Sequence, residues 1–303
     1  MTQNSLTGRS LTDANAASVA ASLLPCWVAM GWLVSKAQWF WRHNPDLQFG
    51  WIVLMLCAFL LWEAWEARSA VFYRWTVWAL LSAGAGCGAL FLTQVYQTAY
   101  GLTPASMSGL GLGVLLVVAS NLLYVFGWPG LRHFAFGFCF IWLALPIPSV
   151  ILDPIVVGLQ TKVASVNVEV LKLAGIPASR VGSLIQLPNC TVGIDEACSG
   201  IRSLQSTVMA TLFIGYLSLR RWDLRAALLV AGLLLAFVGN VARSLFLSYL
   251  AASRGQEALE SAHDTAGWSI LVFTVVGVGA LAWLLARAEK LAARQEKVRE
   301  EAV

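Results

Sequence analysis

The chain has 303 residues, of which 58% are hydrophobic and 12% are charged, and its formal net charge is +4. A water-soluble domain averages about 25% charged residues, so this composition excludes a protein that folds in water alone. The basic residues are scattered and lie mainly near the ends of apolar stretches, which excludes a nucleic-acid-binding surface and indicates topology determinants instead. We therefore predict an all-α integral membrane protein forming one polytopic domain, 1–303.

The apolar stretches predict a bundle of about eight transmembrane helices. Residues 1–16 are polar and lack the pattern of a signal peptide, so we expect a cytoplasmic N-terminal segment. A helix that crosses the bilayer needs about 20 apolar residues. Eight stretches qualify, namely 17–35, 48–65, 75–95, 109–127, 133–152, 199–219, 224–250 and 266–286. The fourth and fifth are separated only by Trp128-Pro129-Gly130, which predicts a tight hairpin.

The distribution of positive charge predicts the orientation of these spans. With eight spans and both termini in the cytoplasm, the inside segments hold twelve of the twenty Lys and Arg residues and the outside segments hold six. Arg202 and Arg243 are the remaining two and lie within spans. An excess of basic residues in short loops marks the cytoplasmic side, so we expect the tail, 287–303, to be cytoplasmic.

The longest connection between spans, 153–198, is predicted to lie outside. Apolar residues recur at helical spacing over 155–176 with polar residues between them, which predicts an amphipathic helix on the outer surface or against the bundle. Residues 181–194 predict two short strands around the Pro188-Asn189 turn, a small hairpin that delivers the chain to Cys198.

Cys198 lies where this polar loop becomes the sixth span. Unpaired N–H groups and the dipole at a helix N-terminus favour a thiolate, and Arg202 is one helical turn further on the same face. Such a thiolate is a candidate nucleophile. Two structural alternatives remain open: a buried cysteine, or a disulfide with Cys190 in an oxidising outer compartment.

Arg243 lies inside the seventh predicted span, three residues after Asn240 and on the same helical face. A charged side chain within a span costs roughly 3 kcal/mol or more, so its presence indicates a function. The structural alternative is snorkelling, because Arg243 is about two turns from the expected helix end at Leu250.

His263 begins the eighth span, on the same predicted outer side as Cys198. A thiol, a guanidinium and an imidazole at one membrane surface are the components of a nucleophilic acyl-transfer site. By itself, His263 would also suit a surface position near a helix cap. Glu196 either orients Arg202, Arg243 or the imidazole, or is a solvated acid in the first helical turn. The spacing of the Cys and His residues does not indicate a metal site, and we expect no cofactor.

These residues together resemble the exosortase/archaeosortase family of integral-membrane cysteine transpeptidases, in its bacterial exosortase form. The resemblance covers nearly all of the chain. It is carried by Glu196-Ala197-Cys198-Ser199-Gly200-Ile201-Arg202-Ser203-Leu204, Asn240-Val241-Ala242-Arg243 and His263-Asp264-Thr265-Ala266-Gly267, with weaker similarity at Leu145-Pro146-Ile147-Pro148 and Asn44-Pro45-Asp46.

The resemblance implies a multi-pass protein of the plasma (inner) membrane that processes exported proteins. The substrates would carry a C-terminal sorting signal: a short motif such as Pro-Glu-Pro, a transmembrane helix and a basic end. Cys198 matches the family nucleophile, Arg243 the family arginine and His263 the family histidine. A thioester acyl-enzyme would form on the extracytoplasmic side and pass its acyl group to an amine or lipid acceptor, or to water.

In this mechanism His263 would protonate the leaving amine. Arg243, with Arg202 or backbone N–H groups near Ser199, would stabilise the oxyanion. Two other functional classes remain open. One is a polytopic transporter in which Arg243 binds an anion, and the other is a non-catalytic scaffold of envelope polysaccharide export.

Overall fold

The computed structural model describes residues 17–68, 71–188, 190–193 and 200–301. Contacts divide the chain into two compact units, Met1–Ser149 and Val150–Val303, and each is described by itself. The first contains helices α1 Leu24–His43, α2 Gly50–Glu66, α3 Val77–Tyr100 and α4 Pro104–Phe140. The second contains helices α5 Ser149–Leu173, α6 Gly200–Ser218, α7 Trp222–Arg254 and α8 Gln256–Glu301, and strands β1 Ser179–Val181, β2 Leu184–Gln186 and β3 Thr191–Gly193. The single membrane domain stays a prediction.

Six helical segments among the described residues are long and apolar enough to cross a membrane, so the chain is a multi-pass membrane protein. They are Pro45–Glu66, Val77–Tyr100, Pro104–Ala144, Ser149–Leu173, Trp222–Arg254 and Gln256–Glu301. The predicted count of eight is not confirmed. Helices α1 and α6 correspond to the first and sixth predicted spans but are not among the six. In α6 the reason is visible in the sequence, because five of its first eight residues are polar.

The segment Pro104–Ala144 folds back on itself and covers two of the predicted spans. The backbone of Gly127 is non-helical, with φ 68° and ψ −163°. A side chain added at Gly111 would meet Leu145 and Trp142, although 34 residues of straight helix would separate Gly111 from Leu145 by about 51 Å. The chain therefore reverses at Gly127, one residue before the predicted hairpin turn.

Hydrogen bonds between helix ends show that successive helices of the first unit alternate in direction. At one end, the backbone N–H of Phe72 donates to the carbonyl of Val125 (2.6 Å), and His133 Nε2 lies 2.8 Å from the carbonyl of Ala64. At the other end, Trp41 Nε1 donates to the carbonyl of Ala144 (2.7 Å). The connections 66–76 and 127–133 therefore share one end of the unit, while 41–50 and 141–148 share the opposite end.

Helices α6, α7 and α8 of the second unit pack antiparallel around glycines of α7. A side chain at Gly232 would meet Thr211 of α6 and Val278 of α8. One at Gly239 would meet Ile270 and Thr274 of α8. These close approaches fix the register of the three helices and bring the start of α8 beside the second half of α7.

A small antiparallel sheet covers the end of the second unit where α7 ends and α8 begins. The strand order is β1-β2-β3, with Ile185 paired to Arg180 on one side and to Val192 on the other. Strands β2 and β3 match the predicted hairpin, whereas β1 was missed. The buried residues that join the sheet to α5, α7 and α8 are Val163, Ala164, Val168, Leu171, Ile185, Leu187, Val192, Leu247, Ala251 and Leu259.

Helix α5 agrees with the amphipathic helix predicted over 155–176, but begins earlier. Its buried residues lie in the second half, where Val163, Asn167 and Leu171 face the core. By length and composition it also qualifies as a candidate span. Its location on the outer surface stays a prediction.

Candidate active site

The structure brings Arg243 of α7 and His263 of α8 into direct contact. Arg243 Nη2 lies 3.2 Å from Nε2 of His263 and donates to the backbone carbonyl of His263 at 3.3 Å. Both residues are partly buried. They are twenty residues apart in sequence and meet because α7 and α8 form an antiparallel pair. The predicted meeting of guanidinium and imidazole is therefore observed.

Gly267 provides the room for this contact. A side chain there would begin 3.2 Å from Nη2 of Arg243, which is tighter than an ordinary van der Waals contact. Gly267 lies one helical turn beyond His263, so the guanidinium lies over an open face of α8. The glycine that ends the His263–Gly267 motif thus has a steric reason to be there.

The geometry of the Arg243–His263 contact fits one tautomer of the imidazole. A guanidinium only donates hydrogen bonds and stays protonated in proteins. Its contact with Nε2 is therefore a hydrogen bond when that nitrogen carries no proton, which is the tautomer protonated on Nδ1.

Arg243 has donor capacity beyond its contacts with His263. Its Nε atom is buried and makes no hydrogen bond with any residue in the part of the chain that the structure describes. A buried N–H without a partner costs about 1–3 kcal/mol, and a charged group costs more. The unused donor suits an anionic group entering the site. Asn240, one turn earlier on α7, is partly buried as well.

The register of α6 brings its first residue level with Arg243. Thr211 of α6 lies against Gly232 of α7, and Gly215 lies against Leu228. Each step toward the start of α6 corresponds to one step forward along α7 in this antiparallel pair. Continuing the register places Gly200 at the height of Arg243. The start of α6 and the Arg243–His263 pair therefore lie at the same end of the three-helix bundle.

Several predicted site residues lie outside the described part of the chain. These are Glu196, Cys198 and Ser199, together with the side chain of Arg202, whose backbone is in the first turn of α6. Their roles stay predictions. The structure thus describes Arg243, His263 and Asn240 of the seven residues that the sequence singles out.

Cys190 is a free, partly buried thiol that packs against the core of sheet and helices. The alternative disulfide between Cys190 and Cys198 is therefore not formed in this structure. Partial burial raises the pKa of the Cys190 thiol above its ordinary value. A raised pKa lowers the thiolate fraction at neutral pH, so Cys190 is a poor nucleophile.

The other two histidines have structural contacts. His43 Nδ1 lies 2.7 Å from the carbonyl of Trp39, within the last turn of α1. His133 lies against the carbonyl of Ala64, near the end of α2. Within the described ranges, no group of three His, Cys, Asp or Glu side chains is close enough to hold a metal ion.

Comparison with known proteins finds a family relationship. A family model described as transmembrane exosortase matches residues 41–290, which include all seven residues predicted for the site. Neither comparison with curated proteins nor comparison with solved structures finds a match.

Proposed function

The chain belongs to the transmembrane exosortase family, and from this premise we propose that it is a cysteine transpeptidase or peptidase acting on C-terminal sorting signals. Membership makes it a membrane protein-sorting enzyme. In this proposed activity Cys198 is the nucleophile, His263 is the general acid and base, and Arg243 stabilises negative charge. Its substrates are exported proteins that end in a Pro-Glu-Pro-like motif, an apolar helix and a basic tail.

The observation that carries this proposal is the contact between Arg243 and His263. A guanidinium within an apolar helix is costly, and here it meets the one imidazole of its unit. The pair supplies an obligate hydrogen-bond donor next to a proton acceptor. That combination suits acyl transfer, in which an oxyanion forms while a proton moves.

Chain connectivity supports Cys198 as the third member of the site. Cys198 precedes Gly200 by two residues, and two residues of extended chain span at most about 7 Å. Since the register brings Gly200 level with Arg243, we expect the thiol to lie within reach of the pair. Glu196, Ser199, Arg202 and Asn240 would support this site by orienting its charges.

The proposed reaction has two balanced steps. The thiol of Cys198 gives its proton to His263, and the sulfur attacks the substrate carbonyl, forming a C–S bond and an oxyanion near Arg243. Collapse breaks the C–N bond, and His263 protonates the departing amine. An amine or lipid acceptor, or water, then loses a proton to His263 and attacks the thioester. The C–S bond breaks and the thiolate recovers the proton.

The proposed location is the plasma (inner) membrane, with both termini cytoplasmic and the site facing the extracytoplasmic side. The hydrogen bonds of the first unit support the alternation on which the charge count depends. They put Arg68, Arg74 and Arg132 in or beside the connections at one end, whereas Arg42 lies near the other. Basic residues favour the cytoplasmic end.

A thiol-labelling experiment tests the proposed site and its substrate together. In a variant whose only cysteine is Cys198, we expect an impermeant maleimide to label the protein in intact cells. Coexpression of an exported reporter ending in Pro-Glu-Pro, an apolar helix and a basic tail should slow labelling several-fold, because the signal covers the thiol. The cysteines replaced by Ala are Cys26, Cys57, Cys87, Cys139 and Cys190.

Two controls make the labelling result specific. A reporter whose Pro-Glu-Pro is replaced by three alanines should not protect Cys198. A variant whose only cysteine is Cys190 should be labelled more slowly and show no protection, since that thiol has a raised pKa and packs on the core. Labelling of Cys198 only after the membrane is permeabilised, or at a rate that the reporter does not change, would count against the proposal.

A further inference from the structure

A buried amide on α5 holds the turn of α7 that carries Arg243. Asn167 has no exposed surface, and its amide lies 2.6 Å from Oγ of Ser244, which is also fully buried. In the orientation that satisfies both ends of the amide, its oxygen accepts from Ser244 Oγ and from the N–H of Leu245 (3.2 Å), and its nitrogen donates to the carbonyl of Val241 (3.3 Å). The amide thus bonds to the backbone of α7 as well as to a side chain.

The amide of Asn167 is unusual because the side chains buried around it on α5 are apolar. Asn167 lies on the face of α5 that also buries Ala164, Val168 and Leu171, where an apolar side chain would satisfy packing. A buried amide is tolerated because its hydrogen bonds are made. Its partners at Val241 and Leu245 are the two backbone groups that an α-helix pairs with each other. Contact with both fixes the rotation and the axial position of α7 at this turn.

Arg243 lies between those two anchoring residues. From this turn its side chain extends to α8, where Nη2 meets Nε2 of His263 at 3.2 Å. Asn167 on α5 and His263 on α8 therefore contact the same turn of α7. A group that stabilises charge in a transition state must be held within about 0.5 Å of its working position, and a 1 Å displacement costs on the order of 10²-fold in rate.

We propose that Asn167 is a positioning residue of the active site, whose buried amide holds the Val241–Leu245 turn of α7 and thereby sets the place of the Arg243 guanidinium. This inference rests on the proposed function. The sequence carries no sign of this role, since Asn167 and Ser244 are 77 residues apart and come together only through the packing of α5 against α7. The role acts through Arg243, without contact between Asn167 and the substrate.

The test is a kcat-against-KM comparison on the full-length, detergent-solubilised enzyme, with the Pro-Glu-Pro reporter as substrate. We expect Asn167→Leu to lower kcat about 10- to 100-fold and to change KM by less than about twofold, because the charge stabiliser is displaced. The matched control is Asn121→Leu. Asn121 also makes amide hydrogen bonds, accepting from Cys26 Sγ (3.0 Å) and donating to the carbonyl of Ser22 (3.2 Å), but it belongs to the first unit.

A double substitution separates positioning from general stability. In an Arg243→Ala background, Asn167→Leu should lower kcat by no more than about threefold, because the group that it positions is gone. Ser244→Ala removes the short 2.6 Å contact with little change in shape and should lower kcat in the same way but less. If Asn167→Leu does not fold, Ser244→Ala takes its place in the comparison of the wild-type and Arg243→Ala backgrounds.

The outcomes distinguish this inference from the proposed function. If Cys198→Ser blocks processing while Asn167→Leu and Ser244→Ala keep the wild-type kcat, the positioning role is wrong and the enzyme proposal stands. The positioning role would also be overturned if Asn167→Leu lowered kcat by the same factor in the wild-type and Arg243→Ala backgrounds. It would fall as well if Asn121→Leu lowered kcat as much as Asn167→Leu. If Cys198→Ser processes the reporter normally, both proposals fall.

Discussion

Cells that carry the Cys198→Ser variant are expected to accumulate the unprocessed precursor of every exported protein that depends on this enzyme. A serine hydroxyl does not ionise near neutral pH, whereas a thiol at a helix N-terminus does so readily. Loss of a covalent nucleophile lowers kcat by roughly three orders of magnitude or more. The measurement is the ratio of precursor to mature reporter on a gel, with the amount of enzyme in the membrane determined in parallel.

Cys190→Ser is the matched control for this experiment. It makes the same atomic change eight residues earlier in the chain, at a partly buried thiol whose pKa is raised. We expect normal processing, because Cys190 packs on the core and is a poor nucleophile. A Cys198→Ser variant that matured the reporter at the wild-type rate would instead favour the transporter or the scaffold, since neither needs a nucleophilic thiol.

Arg243→Ala is expected to lower kcat by about 10²–10³-fold. Removing one donor that stabilises an oxyanion typically has this effect, and the substitution also removes the group that contacts His263 Nε2. If the interaction is made mainly in the transition state, kcat and kcat/KM fall together while KM changes little. The measurement is kcat and KM of the purified Arg243→Ala variant, with the Pro-Glu-Pro reporter as substrate.

Arg254→Ala is the control for loss of positive charge from α7. Arg254 is exposed and ends the same helix, eleven residues after Arg243. The Arg254→Ala variant should keep kcat within about twofold of the wild-type value. A snorkelling Arg243 would behave like Arg254, because such a residue affects insertion and abundance while leaving the rate per molecule unchanged. Equal rates for Arg243→Ala and the wild type, at equal abundance, would remove Arg243 from the mechanism.

The sequence could predict the meeting of Arg243 and His263 because the determinants are local. Two apolar helices joined by a short connection pair antiparallel, so the polar residues near that connection come close. The fold-back at Gly127 was predictable for a similar reason. A Pro-Gly pair between two apolar stretches leaves little alternative to a turn.

Other features depended on packing that the sequence does not reveal. Strand β1 is three residues long, and its pairing with β2 requires Gly182 at φ 64°. The amide of Asn167 finds Ser244 only once α5 and α7 are packed. The count of eight spans is not confirmed, in part because polar residues interrupt the start of α6 and lower its apolar content below that of the six candidate spans.

The most direct test of the proposed mechanism is to trap the covalent intermediate. The enzyme is mixed with the Pro-Glu-Pro reporter, denatured in acid and digested, and its peptides are identified by mass spectrometry. We predict that the peptide containing Cys198 carries the reporter fragment N-terminal to the cleavage site, and that hydroxylamine removes it, as expected for a thioester. Processing that proceeds without any adduct on Cys198, or with the adduct on another residue, would contradict the mechanism.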